Sequence, residues 1–271
     1  MTGPITAVED QVTQLALYLM KVDMFPVFFI AHFCLSCLLV REDSKDVGIK
    51  FRQNHPFASW LCSVVTALSG LFVLNFLFGK PLIEAAKEST LVTVITVIWY
   101  LLNYSPSDVV YKIVTFTPVL LSASVLQECL RVRFIYLGIQ TAAQEYPGHF
   151  LVILLAGVIN GNGYGLIKVA ERLIRGKWTP DTNELLDVTY FTKSGLYASL
   201  LFILHQNKII PVPIELLYLG IIVAFVTLRL LITVGNIEDP LLPLESPLTS
   251  WLFRPAPEET RVEVNQAHKQ K

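Results

Sequence analysis

Gly157-Val158-Ile159-Asn160-Gly161-Asn162-Gly163-Tyr164-Gly165 puts four glycines and two asparagines inside an apolar run from Phe150 to Ile174. Gly157, Gly161 and Gly165 stand at i, i+4 and i+8, one stripe of a helix, and Lys168 and Arg172 continue that stripe. Two readings stay open at this point: the small residues let neighbouring helices approach closely, or they loosen a helix whose carbonyls then face a water-filled cavity.

The 271 residues are 53% hydrophobic and 16% charged, with a mean hydropathy of +0.55. That balance belongs to a polytopic membrane protein. A net charge of −1 offers nothing to nucleic acid. Cys34, Cys37, Cys62 and Cys129 sit in apolar runs as small hydrophobes, and Cys34-Leu-Ser-Cys37 has no second pair to form a metal site. Glu9 and Asp10, without a cationic n-region, argue against a cleaved signal peptide. There is no H-E-x-x-H, G-x-S-x-G or P-loop, so nothing asks for an enzyme.

Working outward, an amphipathic lead-in (Val12 to Val22) precedes a first span from Met24 to Val40. Pro56 to Gly79 is a second, interrupted at Ser69-Gly70, and Thr90 to Tyr104 a third. The fourth begins near Val109, meets Pro118 and continues to Ile139; the opening stretch is the fifth. Val188 to Leu204 and Pro213 to Val234 complete seven. The expected fold is all-α, with two inverted three-helix repeats (about 12–104 and 109–206) plus a seventh helix (about 211–234). Residues 1–235 then form one transmembrane domain, and the proline- and charge-rich 236–271 a tail without fixed structure. Lys and Arg concentrate in Arg41 to Arg52, in Arg172 to Lys177 and in the tail, which sets the N-terminus luminal or outside and the C-terminus in the cytosol.

Glu128, Arg131 and Arg133 are embedded in span four. A charge at mid-bilayer costs about 2.5–3.5 kcal/mol on insertion scales, so all three should face protein, water or a lipid headgroup. Glu128 and Arg131, at i and i+3, can pair, either fixing packing or marking a pathway or anionic-lipid site. Lys168 and Lys193 read as cytoplasmic-entrance cations or as solvated amines, Arg229 as a snorkelling anchor, and His32 as a hydrogen-bonded core residue.

His55-Pro-Phe-Ala-Ser-Trp-Leu-Cys62, Phe78-Gly-Lys-Pro-Leu-Ile83, Trp99-Tyr100 with Ser105-Pro-Ser-Asp108, Glu128 with Arg131, and Glu171-Arg-Leu-Ile-Arg-Gly-Lys-Trp-Thr-Pro180 with Asn183-Glu184 occur in this order. Together they resemble the trimeric intracellular cation channels, the TRIC family, over roughly Met24 to Phe253. The resemblance implies a homotrimer in the endoplasmic or sarcoplasmic reticulum membrane. Each subunit would conduct potassium through its own pore between the repeats, as counter-current to calcium release. Kinked helices two and five would line it, with Ser69, Gly70, Asn160, Gly161, Gly163, Lys168, Lys193 and Glu128 as pore or gating residues. It also implies a phosphatidylinositol bisphosphate lipid at Gln127, Arg131 and Arg133, and luminal calcium at Gly79. Four positions depart from the family pattern: Gln127 replaces a lysine, Lys80 an acidic residue, Leu120 a lysine and Phe29 an acidic residue. Arg133 points about 200° around the helix from Arg131. A secondary transporter, which shares inverted repeats and broken helices, is the alternative function.

Overall fold

The computed structural model describes residues 4–48, 50–180, 183–235, 237 and 239–252. Twelve α-helices and three short 3-10 turns account for the regular structure among them. They are α1 (Pro4–Lys21), α2 (Val27–Asp43), α3 (Phe51–Asn54), α4 (Pro56–Ala67), α5 (Ser69–Leu77), α6 (Ser89–Tyr104), α7 (Val109–Thr115), α8 (Thr117–Glu145), α9 (Phe150–Ile174), α10 (Tyr190–Gln206), α11 (Ile214–Gly235) and α12 (Leu242–Leu252).

Three breaks shape the bundle, each with a local cause. α4 and α5 meet at 71° across Leu68, whose φ of −108° and ψ of 17° leave the helical well. The ladder stops there, and His32 on α2 donates from Nε2 to the Ala67 carbonyl at 3.0 Å, satisfying a group the helix end orphans. α7 and α8 meet at 59°. Pro118 could not continue a helix past the Val114 carbonyl, so the chain extends at Phe116 (φ −61°, ψ 122°) and restarts with proline in the first turn of α8. Within α9, Asn162 departs to φ −147°, ψ 32°.

The glycine stripe serves two directions at once. A Cβ on Gly163 would lie 2.5 Å from Gly70 Cα and 2.6 Å from its nitrogen, and one on Gly70 would lie 2.5 Å from the Asn160 carbonyl oxygen. The breaks of α5 and α9 therefore cross backbone on backbone. Gly157 and Gly161 face elsewhere: a Cβ on Gly157 would lie 2.7 Å from Ile139 Cγ1, and one on Gly161 would collide with Ile135. Close packing holds for those two glycines, and the pinched crossing for Gly163.

Two apolar cores flank this crossing. One joins Phe33, Cys37, Leu38, Val64, Ala67, Ile95 and Leu102, with Val114 of α7. The other gathers α8, α9, α10 and α11 around Ile135, Ile159, Phe202, Tyr218 and Phe225, with Leu74 of α5. α5 thus leaves the core that α4 joins, and α7 the core that α8 joins, each reaching into the other. At the C-terminal end of α9, the buried Glu171 and Arg175 pair at 2.8 Å, and Arg175 donates to the Asp43 carbonyl at 2.8 Å, holding α9 to α2.

Length and composition alone qualify α9 and α11 as membrane spans, and up to four spans if each bent pair counts as one. The seven expected include α2 and α10, each of 17 residues. At 1.5 Å per residue these are about 26 Å long, short of a hydrocarbon core of about 30 Å. They also turn buried polar groups inward, among them Ser36, Arg41, Ser194 and Ser199.

The lead-in is longer than expected: α1 begins at Pro4 and packs along α11. The tail corrects the expectation of an unstructured segment from 236 onward. Leu242–Leu252 is helical, and it is tethered because Lys193 on α10 reaches Asp239 at 2.6 Å and Glu245 at 2.7 Å. The rest of the expected tail, 253–271, lies outside the described residues.

Candidate functional site

A cavity of about 540 Å³ opens between α2, the α4–α5 break, α8 and the second half of α9. Its α9 lining runs from Asn160 to Lys168, and its α4–α5 lining from Thr66 to Leu71. On the far side of the crossing, Leu74, Ile153, Ala156 and Ile159 are buried in the apolar core. The space therefore reaches the crossed breaks from the side of Glu42, Lys168 and Glu184 and meets packed side chains beyond them.

Polar groups are held in place around it by short links. Asn160 donates from Nδ2 to the Phe134 carbonyl at 2.8 Å, locking the α9 break to α8. Asn162 bonds to Thr192 on α10, and Thr192 donates in turn to Glu184 Oε1. Gln127 Nε2 meets His32 Nδ1 at 3.3 Å, which joins the α4–α5 break to α8. Glu128 is fully buried and accepts from Arg131 Nε at 2.7 Å and from Tyr190 Oη at 3.3 Å. Arg131 spends its remaining nitrogens on the Phe191 carbonyl and Ser194 Oγ, both at 3.1 Å, and its guanidinium lies 4.1 Å from the centre of the Phe225 ring.

Of the residues singled out from sequence, Ser69, Gly70, Asn160, Gly161, Gly163, Lys168, Gln127, Glu128 and Arg131 line this one cavity. Three lie elsewhere. Arg133 donates to the Met20 carbonyl at 2.6 Å, on the opposite side of α8 from Arg131. Lys193 is held by Asp239 and Glu245. Gly79 ends α5 with φ +67°, next to Lys80, which pairs with Glu145.

Among the cavity residues that sequence reasoning did not place there are His32, Asn162, Glu184 and Arg229. His32 is hydrogen-bonded as read, but its bond closes a helix break. Arg229 does not snorkel outward; it lies 5.2 Å from the Phe191 ring, and its Nε has no hydrogen-bond partner among the described residues. Asn162 carried a signal as one of the two asparagines of the glycine stretch, and Glu184 as part of the Asn183-Glu184 motif.

The molecule is a helical membrane protein with two broken helices crossed beneath a partly enclosed cavity whose wall is mostly apolar and carries a few fixed polar groups. Residues 45–235 match the TRIC channel family model, and the chain belongs to that family. It is 36% identical over 232 residues to the trimeric intracellular cation channel type 1B.2 of Caenorhabditis elegans, covering 85% of this chain and 74% of that one. A trimeric intracellular cation channel from C. elegans solved in the absence of Ca2+ superposes with a TM-score of 0.79 at 34% identity, over 85% of this chain and 99% of that one. A structure of a TRIC counter-ion channel active in calcium release also gives 0.79, at 28% identity over 83% and 100% of the two chains.

Proposed function

We propose that this chain conducts potassium across the endoplasmic or sarcoplasmic reticulum membrane as counter-current to calcium release. It works as a homotrimer with one pore per subunit, its N-terminus luminal and its C-terminus cytosolic. The observation that carries the reading is the backbone crossing of Gly70 and Gly163 at the blind end of the cavity. Continuous helices hold their carbonyls in the ladder; broken ones can turn them toward water, which suits a permeant cation. Purified protein in a planar bilayer under a potassium gradient should give unitary steps reversing at the potassium potential. Flux that saturates at low turnover would instead indicate a secondary transporter, and absence of flux a scaffold.

A phosphoinositide in the same cavity is part of the proposal, with altered partners. Arg131 is already engaged and Arg133 faces away, whereas Lys168 and Arg229 line the space with no carboxylate in ion-pairing range among the described residues. Those two cations fit a phosphate headgroup, with Arg131 holding the wall through Glu128. Lys168→Gln together with Arg229→Gln should reduce binding of labelled phosphoinositide about tenfold or more, since charge-assisted bonds contribute about 1.5–3 kcal/mol each; undiminished binding would place the lipid elsewhere. The residues do not fit calcium at Gly79. The residue after the glycine is the cationic Lys80, and the carboxylate of Glu145 is committed to it.

A further inference from the structure

Three carboxylates line the cavity, from Glu42, Glu128 and Glu184. Two are matched by a base: Glu128 by Arg131 and Glu42 by Lys45. Glu184 has no basic group in ion-pairing range among the described residues, although only 8% of it is exposed. Its Oε1 accepts from the Thr189 amide at 2.9 Å, from Thr189 Oγ1 at 2.6 Å and from Thr192 Oγ1. Its Oε2 lies against α9, 2.7 Å from where a Cβ on Gly165 would stand. Among the described residues no hydrogen bond reaches that oxygen.

An anion so placed, with one oxygen saturated and the other bare on the wall of a mostly apolar cavity, is short of positive charge. We infer that Glu184 receives the permeant monovalent cation on the near side of the crossing, Oε2 replacing part of its hydration shell. Gly165 is the residue that makes room: any side chain there would push the carboxylate off α9. The Asn162–Thr192–Glu184 chain ties the carboxylate to the α9 break, so the ion is held next to the crossing. One carboxylate suits a singly charged ion, because calcium wants six to eight oxygens and usually several acidic ligands. No group of three or more acidic, histidine or cysteine side chains is gathered among the described residues. Lys168 lines the same cavity, and its charge keeps the ion from being held too tightly to move on.

The inference rests on the channel reading, and the test separates the two. Wild type, Glu184→Gln and Glu184→Asp are recorded in planar bilayers at about 0.1 M and about 1 M KCl, where the Debye length is about 10 Å and about 3 Å. Glu184→Gln keeps the acceptor for Thr189 and loses the charge. It should lower unitary potassium conductance about twofold or more at low salt, with the gap closing at high salt, as expected when a local charge concentrates the ion. Glu184→Asp should recover most of it. Should the Gln variant fail to assemble, Gly165→Ala decides instead: a methyl there would push the carboxylate off α9 and should lower low-salt conductance in the same way. Unchanged low-salt conductance, or a loss equal at both salts, overturns the inference and leaves the channel standing. A wild type without unitary steps overturns both.

Discussion

At the scale of single residues, glycine carries different burdens at neighbouring positions. Gly163→Ala would drive a methyl into the Gly70 backbone, which has no flexible side chain to yield. Overpacking of this kind costs about 1–3 kcal/mol, so the detergent-solubilised assembly should melt several degrees lower. Gly220→Ala, with open space at its Cβ position on α11, should leave the midpoint unchanged or raise it, because alanine is favoured in helices by about 0.5–1 kcal/mol. A bulky residue at Gly161 would be a poor probe of conduction, since it first strikes Ile135 and disturbs the α8–α9 contact. The sequence showed the stripe but not this division. Helical phase says which glycines share a face; which neighbour each face meets depends on the crossing of α5 and α9. The Glu128–Arg131 pair was legible because both partners lie on one helix. Glu184 was not, since its placement depends on how the α9–α10 connection folds back over Gly165.

At the scale of elements, α12 is the least expected piece. The tail's composition suggested no fixed structure, yet Lys193 gathers Asp239 and Glu245, and Tyr197 donates to Glu245 at 2.9 Å. Lys193→Met should leave α12 undocked, read as faster amide exchange over Leu242–Leu252 than in wild type. Partial burial pushes the Asp239 carboxyl up, but the Lys193 ammonium and the Leu241 amide outweigh it and hold the acid below its ordinary 3.8. A depressed folded-state value stabilises above the unfolded one and loses that contribution as pH falls through the folded one. Amide protection of α12 attributable to Asp239 should therefore be the same at about pH 7 and about pH 5 and decline only below about pH 4. A pairing between residues 46 positions apart leaves no periodic trace, whereas the breaks at Pro118 and Ser69-Gly70 were readable from local chemistry.

At the scale of the molecule, the family motifs and the apolar runs foretold an all-helical membrane fold with breaks in helices two and five. They did not foretell how the halves share their cores. Leu74 of α5 belongs with the α8–α11 core and Val114 of α7 with the α2–α6 core, so each half-bundle is completed by a segment of the other. The crossing of Gly70 and Gly163 sits at the root of the α5 exchange, and two main chains in contact behave there like the blades of scissors on a common rivet. Neither bend can straighten without prying up the other, so whatever tilts α5 also levers α9, along with the Asn162–Thr192–Glu184 chain strung from it.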